Sequence, residues 1–260
     1  MAMAFYGVPD EDKLRIVELS TEILSIYKKQ GRPAIQVDNM LLAMRAMSFM
    51  EEPQFNEAIK QFCFDPGGDI ILENMTKFWR LHVYTWCCSQ ALRSDGDLVE
   101  CGIHMGLYSQ VMMKTLDFAD SGKKMFLYDT FDGLSEDYSS ARERAVVGDS
   151  YEISGWETQV RESFAAYPNV TIVKGTIPDI LESTAPDSIS FLHLDMNAAQ
   201  AEIQAFEFLK SRLVDGAIIL LDDFGRFEYL EMNAAYNELF RGIGRRILEL
   251  PTGQGLVMWN

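Results

Sequence analysis

The clearest chemical signal in this chain is a series of acidic side chains, each placed where a short apolar run ends. Glu100, Asp129 and Asp195 each close such a run, and the pair Asp222 and Asp223 closes another. In open α/β sheets, ligands bind beyond the carboxyl ends of the strands. Acids at four strand ends are hard to explain by solvation alone. They predict a polar site, where carboxylates bind ribose hydroxyls, an ammonium group or a metal ion.

The first of these runs leads into a glycine-rich turn. Gly102 and Gly106 flank His104 and precede an amphipathic stretch, a pattern typical of a strand, a tight turn and a helix. Glycine lets a ligand approach the backbone closely, and the helix N-terminus adds free N–H groups and a positive dipole end. Because His104 takes the second glycine position of G-x-G-x-x-G, a nucleoside-like ligand with a charged tail is favoured over a nicotinamide dinucleotide. An ordinary glycine-rich turn is an equally weighted alternative.

Three of the acids are candidates for a metal site. Asp195 and the pair Asp222 and Asp223 are separated by about one helix, so their strands are expected to be neighbours. Clustered carboxylates repel one another, and a hard divalent cation such as Mg²⁺ relieves that repulsion through oxygen ligands. Each acid taken alone is at least as well explained as a helix N-cap or a turn residue. The trio as a set is what favours a metal.

A parallel sheet is needed to position these residues, and the sequence beyond residue 94 predicts one. Apolar runs alternate with amphipathic stretches, which indicates an α/β fold with a Rossmann-like, doubly wound sheet of seven strands. The last two strands are joined by a link too short for a helix, so an antiparallel hairpin is expected at the sheet edge. Residues 133–154 are predicted to be an irregular segment on the ligand side, either a lid or a partly disordered loop. The predicted strands are 97–101, 124–129, 170–174, 188–195, 216–222, 245–250 and 255–259, and the predicted helices are 106–118, 155–166, 198–212 and 227–241.

The first 94 residues predict a helical extension to a domain formed by residues 95–260. Amphipathic patterns predict helices at 11–30, 38–50, 52–63 and 69–92. The second carries methionines at helical spacing, which favours core or dimer packing over a plastic binding surface. Arg80 and His82 lie inside the last helix, where satisfied core or interface residues are favoured over ligand contacts.

The composition of the chain argues against several classes of binding partner. The chain has 260 residues, 23 basic and 39 acidic side chains, and a net charge of −16. Such a charge argues against nucleic acid and anionic membranes as partners. The N-terminus lacks the basic and apolar regions of a signal peptide, and no apolar run is long enough to span a membrane. The four cysteines show no C-x-x-C spacing, so reduced core thiols in a cytoplasmic protein are expected.

The strand-end residues resemble those of class I S-adenosylmethionine-dependent methyltransferases. The resemblance implies that Glu100 and the glycine turn hold the methionine part of S-adenosylmethionine, and that Asp129 holds the ribose. The residues that border the cofactor by this resemblance are Glu100, Gly102, His104, Gly106, Asp129, Thr130, Gly175, Thr176 and Asp195.

Within that class, the chain is most similar to the macrocin O-methyltransferase-like family of metal-dependent sugar and antibiotic O-methyltransferases. The matching stretches are 96–102, 128–133, 194–195 and 221–225, and the resemblance covers about residues 75–260. It implies a hydroxylated small-molecule acceptor, a sugar or a glycosylated natural product, with no nucleic acid or membrane partner. It also implies Mg²⁺ or another divalent cation at Asp195, Asp222 and Asp223, and a homodimer formed through the N-terminal helices.

The resemblance leaves the catalytic base open. Characterised members of this family carry a base two or three residues after the first metal aspartate, where this chain has Asn197 and Ala198. Asp195 is predicted to act through the metal that acidifies the acceptor hydroxyl, and His193 is the candidate base, although a packed core histidine is the stronger interpretation. Asp137 and Tyr151 of the lid are further candidates. The missing base keeps two alternatives open, a hydroxylase-type relative and an inactive cofactor-binding module.

Overall fold

The computed structural model describes residues 9–32, 34–37, 40–64, 77–148 and 155–260. The strands are β1 (Ala34–Val37), β2 (Met40–Ala43), β3 (Asp97–Cys101), β4 (Met125–Asp129), β5 (Val170–Lys174), β6 (Ile189–Leu194), β7 (Leu213–Leu221), β8 (Leu248–Glu249) and β9 (Gly255–Trp259). The α-helices are α1 (Asp10–Lys29), α2 (Pro53–Cys63), α3 (Phe78–Ala91), α4 (Leu107–Thr115), α5 (Ala141–Val147), α6 (Trp156–Ser163), α7 (Leu181–Thr184), α8 (Ala199–Leu209) and α9 (Leu230–Gly242). None of the helices in these ranges combines the length and apolarity that crossing a membrane requires.

Seven strands form one sheet in the order β5-β4-β3-β6-β7-β9-β8. The first five of these pair in parallel, whereas β9 runs antiparallel to β7 and β8 runs antiparallel to β9. All six residues of the central strand β6 are buried, as expected for a parallel strand covered on both faces. The α/β class, the seven strands and the terminal antiparallel hairpin predicted from the sequence are therefore confirmed.

Two hydrophobic clusters cover the two faces of the sheet. One joins α2, α3 and α4 to sheet residues such as Leu98 and Phe191, and the other joins α8 and α9 to residues such as Leu192. Because Tyr84 of α3 and Phe55 of α2 lie in the first cluster, residues 53–91 pack directly on the sheet. A separate unit ending at residue 94 stays a prediction. The cysteines are buried and form no disulfide, as the sequence predicted.

The predicted helix at 38–50 is wrong. Strands β1 and β2 pair antiparallel, with Ala34 opposite Ala43 and Val37 opposite Met40, and a 3-10 turn follows at Ser48–Glu51. The sequence carries part of the reason, since the β-branched Ile35 and Val37 precede Asp38-Asn39, a dipeptide of residue types that favour turns. The helical spacing of the methionines is therefore accidental. The helix predicted at 69–92 is observed as α3, and residues 69–76 lie outside the described ranges.

The predicted irregular lid at 133–154 contains a helix, α5. Ser140 caps it by accepting the Glu143 N–H, and the Glu143 carboxylate accepts the Ser140 N–H in return. This reciprocal capping box is written in the sequence as Ser-x-x-Glu, and the polar composition of the stretch concealed it. Residues 149–154, which include the candidate Tyr151, lie outside the described part.

Candidate active site

A cavity opens at the carboxyl ends of four adjacent strands, β5, β4, β3 and β6. Concave sites in this position of an α/β sheet are where small molecules bind. Seven residues predicted from the sequence line it: Gly102, His104, Asp129, Thr130, Gly175, Thr176 and Asp195. Five others, Glu100, Gly106, His193, Asp222 and Asp223, lie outside its lining.

Asp129 ends β4 with its carboxylate held by the backbone. The His104 N–H donates to one oxygen at 2.9 Å and the Phe131 N–H donates to the other at 2.8 Å. Burial raises the pKa of Asp129, and these N–H bonds partly oppose that rise. An oriented carboxylate at the cavity wall has lone pairs left for ligand hydroxyls. This arrangement suits a ribose.

Gly102 is required by the close approach of β3 and β6. Its φ is +88°, and a Cβ there would overlap the carbonyl oxygen of Asp195. The Asp195 N–H donates to the Cys101 carbonyl at 2.9 Å, which ties the two strand ends together. Gly106 begins α4 with a φ of +74°, and a Cβ there would lie 2.6 Å from the Phe164 ring. Both glycines therefore shape the turn, and only Gly102 reaches the cavity.

The turn after β6 is held from behind by Glu202 of α8. Its carboxylate accepts the N–H groups of Met196 at 2.8 Å and Asn197 at 3.1 Å, and the Tyr236 hydroxyl at 2.6 Å. Burial raises the pKa of Glu202 to about 7. These bonds hold Asn197 with a φ of +56°, in the left-handed region that Asn tolerates better than most residues. The turn therefore presents Asp195 and Asn197 to the cavity in one fixed conformation.

The lid contributes to the cavity rim and to α8. Tyr138 lines the cavity and donates to Asp179 at 2.6 Å, which joins the lid to the loop after β5. Glu143 of α5 accepts the Ala199 N–H at the start of α8, at 2.7 Å. Trp156 lines the wall beside His104, with 5.0 Å between the two ring centroids. Sequence analysis missed Tyr138 and Trp156 as lining residues, because neither stands at a strand end.

Glu100 and His193 lie in a buried layer beneath the cavity. Glu100 accepts hydrogen bonds from the hydroxyls of Tyr84 and Ser109, and the His193 ring faces it at 3.3 Å. On its other side, His193 Nε2 lies 3.6 Å from Asp222. Burial alone would lower the pKa of His193, but the bonds and charges of Asp222 and Glu100 outweigh it and raise the pKa to about 10. A protonated ring between two acids is a donor, which argues against the predicted role of His193 as base.

The placement of His193 has a simple structural cause. His193 and Asp195 were expected on the same side because side chains alternate along a strand. Strand β6 ends at Leu194, so Asp195 leaves the sheet and reaches the cavity, while His193 stays under the ring of Tyr84 at 4.9 Å. Glu100 is likewise enclosed by helices α3 and α4. The cavity lining thus excludes the side chain that the resemblance assigned to the methionine end.

Asp222 and Asp223 are paired with Arg80 of α3. Arg80 donates to the Asp222 carboxylate at 2.7 Å and to the Asp223 carboxylate at 2.9 Å. Burial acts to raise the pKa of Asp222, but the charge of Arg80 and the His193 contact outweigh it and lower the pKa well below the usual range. Arg80 is therefore the satisfied core residue that the sequence analysis favoured.

The predicted metal ligands do not fit a divalent cation in this arrangement. Two of the three predicted ligands, Asp222 and Asp223, are bound by the guanidinium of Arg80. A different set, His193, Asp195 and Asp222, offers three ligand atoms within 4.8 Å of one another. In that set, the second Asp222 oxygen accepts Gln254 Nε2 at 2.8 Å and the ring of His193 faces two acids.

Comparison with models of protein families shows which family the chain belongs to. The model of the family described as macrocin O-methyltransferase matches residues 17–246. The chain belongs to the macrocin O-methyltransferase family. This family membership agrees with the resemblance drawn from the strand-end motifs, and it extends the match into the N-terminal helices.

One curated relative of this family member is an O-methyltransferase whose name includes a rhamnosyl group. The 8-demethyl-8-(2,3-dimethoxy-α-L-rhamnosyl)-tetracenomycin-C 4′-O-methyltransferase of Streptomyces olivaceus is 25% identical over 165 residues, 59% of this chain and 63% of the relative. The match thus spans less than two thirds of that relative's length.

Solved structures show the same fold. The O-methyltransferase NovP aligns with a TM-score of 0.60 and 18% identity, covering 72% of this chain and 81% of NovP. The calicheamicin methyltransferase CalS11 aligns with a TM-score of 0.60 and 16% identity, covering 83% of this chain and 94% of CalS11.

Proposed function

We propose that this chain is an S-adenosylmethionine-dependent O-methyltransferase that acts on a sugar hydroxyl of a small molecule. The observation that carries the proposal is the cavity across four strand ends, with Asp129 at one position and Asp195 two strands away. Asp129 binds the cofactor, and Asp195 faces the acceptor. Family membership over most of the chain supports the same reaction class.

The cofactor supplies an electrophilic methyl group on a sulfonium sulfur when it is bound. Asp129 binds the ribose hydroxyls, and its two backbone N–H bonds keep the carboxylate oriented for them. Gly102 borders the methionine part in the cavity lining, where its lack of a Cβ lets β3 approach the Asp195 carbonyl closely. Gly175, Thr176 and Ile177 border the adenine side of the cavity. Positioning of this kind contributes most of the rate of a bimolecular methyl transfer.

Asp195 takes the proton of the acceptor hydroxyl. The bound cofactor would supply the methyl group, and the Asp195 carboxylate would accept the proton that the acceptor hydroxyl loses when it is methylated. Burial raises the pKa of Asp195 well above its usual value, and the charges of Asp222 and Asp223 add to the rise. A raised pKa strengthens the proton affinity of this carboxylate, and the charge of Arg80 opposes the rise. This proton transfer uses no magnesium ion, because Arg80 already binds Asp222 and Asp223.

A sugar acceptor is supported by the rhamnosyl acceptor in the name of the Streptomyces olivaceus relative. Sugar hydroxyls need a base and an oriented approach, which Asp195 and the cavity-lining residues of 133–138 supply. Asn197 stands where the family resemblance implies a base, and this keeps an inactive cofactor-binding module as the outcome if no acceptor is methylated.

We also propose a cytoplasmic homodimer formed through α1. Ile16, Leu19, Ile23 and Ile26 recur at spacings of three and four residues, and all are exposed. This spacing is the a/d pattern by which helices pack in coiled coils. A second copy of the same helix covers such a stripe.

Calorimetric titration with S-adenosylhomocysteine tests the function first. Wild-type protein is expected to bind one equivalent, and Asp129→Ala is expected to weaken binding roughly 10- to 100-fold, because a charge-assisted hydrogen bond contributes about 1.5–3 kcal/mol. The exposed neighbour Asp132→Ala is the matched control and is expected to bind normally. Methyl transfer to deoxysugar glycosides then tests the acceptor. Absence of binding by folded wild-type protein would refute the proposal.

A further inference from the structure

We propose that Arg80 is the resident cation of the acidic site: its guanidinium holds Asp222 and Asp223 together, and the chain binds no divalent metal ion there. The inference rests on the contacts of the described residues and not on the proposed reaction. It replaces the metal that the sequence motifs predicted by a side chain of the protein itself.

The contacts of Arg80 form a built site. Nη1 donates to Asp222 Oδ2 at 2.7 Å, and Nη2 donates both to Asp223 Oδ1 at 2.9 Å and to the Asp222 carbonyl at 2.8 Å. Nε adds a bond to the Thr252 carbonyl at 3.3 Å. The guanidinium is almost fully buried, as are both carboxylates. The planar fork of an arginine matches such paired oxygens, whereas lysine offers a single point charge.

Three of the four carboxylate oxygens of Asp222 and Asp223 already have a donor. Asp222 Oδ1 accepts Gln254 Nε2 at 2.8 Å, so both oxygens of this carboxylate have donors. Arg226 adds a second guanidinium, with Nε at 3.5 Å from Asp223 Oδ1. A Mg²⁺ ion needs near-octahedral oxygen ligands at about 2.0–2.1 Å. Entry of a dication therefore requires the departure of donors and places two like charges in one buried site, which is unfavourable.

The positions of the three acids explain why only one reaches the cavity. Arg80 holds Asp222 and Asp223 outside the cavity lining, and Asp195 stays within it. The guanidinium thus offsets part of the negative charge of these two acids and leaves Asp195 accessible to a ligand. Its role is to position and balance this cluster, and it does not contact the reacting atoms.

A Mn²⁺ titration followed by electron paramagnetic resonance tests the inference on chelator-treated protein. Wild-type chain is expected to bind no stoichiometric Mn²⁺, at millimolar concentrations of the ion. Arg80→Met keeps much of the apolar stem and removes the charge, so it is expected to gain one Mn²⁺ per chain and a melting temperature that rises with Mn²⁺. Arg212→Met is the matched control, because Arg212 donates to the carbonyls of Ala185 and Pro186. It is expected to behave as wild type.

Two results would overturn the inference. Stoichiometric Mn²⁺ binding by wild type that Asp223→Asn abolishes would show a metal site despite Arg80. A folded Arg80→Met chain that binds no Mn²⁺ would show that Arg80 is not what keeps the metal out. Circular dichroism reports whether Arg80→Met folds, and the wild-type titration decides alone where it does not.

The outcome is separable from that of the proposed function, since neither Mn²⁺ binding nor melting requires methyl transfer. If the chain is also an active methyltransferase, its initial rate is expected to be unchanged by EDTA and by added Mg²⁺. Binding of S-adenosylhomocysteine without turnover would refute the activity and leave the metal-free site standing.

Discussion

At the scale of residues, the acids that look alike in the sequence have different surroundings. Asp195 faces the cavity, Asp129 is oriented by backbone N–H groups, and Glu100 is enclosed by hydroxyls and His193. A carboxylate acts as a base or a ligand anchor only if its oxygens can reach the ligand. Only Asp129 and Asp195 meet that condition among the predicted acids.

Asn197 offers a direct test of how the acceptor loses its proton. It is buried in the cavity lining two residues after Asp195. Asn197→Asp adds a second carboxylate where the family resemblance implies a base, and kcat is expected to rise at least about tenfold if proton removal limits turnover. Methyl transfer rates over a range of pH measure the effect. Asn197→Ala separates loss of the amide from gain of the acid, and equal kcat for Asn197→Asp and wild type would show that Asp195 is sufficient.

His193 predicts a pH dependence of stability. Its pKa is raised from 6.5 to about 10, so its contribution is full below pH 6.5 and is lost as pH rises through about 10. Within that window the free energy of unfolding is expected to fall with a slope of up to about 1.4 kcal/mol per pH unit. Urea unfolding at several pH values measures it, and His193→Gln is expected to flatten the curve. His82→Gln is the control, since burial lowers the pKa of His82 and shifts its effect to acid pH.

At the scale of elements, α5 links the lid to the catalytic turn. Glu143 closes the capping box of α5 with one oxygen and accepts the Ala199 N–H of α8 with the other. Glu202 of α8 in turn holds the backbone of Met196 and Asn197. Order in the lid and order in the turn after β6 are therefore coupled through the start of one helix.

Ser140→Ala tests this coupling at the lid. Loss of an N-cap hydrogen bond costs about 1 kcal/mol, so α5 is expected to open roughly fivefold more often. Amide hydrogen exchange over 141–147 measures the opening, and exchange of the Ala199 amide is expected to rise with it. Ser163→Ala is the control, because Ser163 is the last residue of α6 and its hydroxyl donates to the Val160 carbonyl within that helix. Unchanged exchange in α5 would mean that Glu143 alone holds the helix.

At the scale of the whole molecule, α1 differs from every other helix in how much apolar surface it exposes. Its stripe, Ile16, Leu19, Ile23 and Ile26, lies beside the face that carries partly buried side chains such as Leu24. Burial of apolar surface favours association, whereas a net charge of −16 on each copy opposes it at low salt. The balance predicts a dimer that is tighter at physiological ionic strength than in dilute buffer.

Introducing acidic side chains into this apolar stripe tests the dimer. Leu19→Glu combined with Ile23→Glu is expected to halve the solution mass measured by light scattering, because four buried carboxylates per dimer carry a prohibitive desolvation cost. Leu14→Glu is the control, since Leu14 is exposed on the opposite side of α1. A monomeric wild type, or a dimer that survives the double substitution, would contradict the proposal.

The sequence by itself determined the sheet, its seven strands, the terminal hairpin and much of the cavity lining, because apolar runs and the polar residues at their ends are local patterns. The capping box of α5, formed by Ser140 and Glu143, was also present in the sequence, but the polar residues around it led to the prediction of an irregular segment. The strands β1 and β2 were missed because methionines happen to recur at helical spacing over 40–50.

Only the tertiary structure decided which acids face a ligand. Arg80 and Asp222 are 142 residues apart, and no periodicity links them. Their pairing depends on how α3 packs across the ends of β6 and β7, which brings a guanidinium to the oxygens that the motif reserved for a metal. A motif specifies which side chains stand at the strand ends, whereas electrostatic neutrality in a buried site is satisfied by whichever charges the fold brings together.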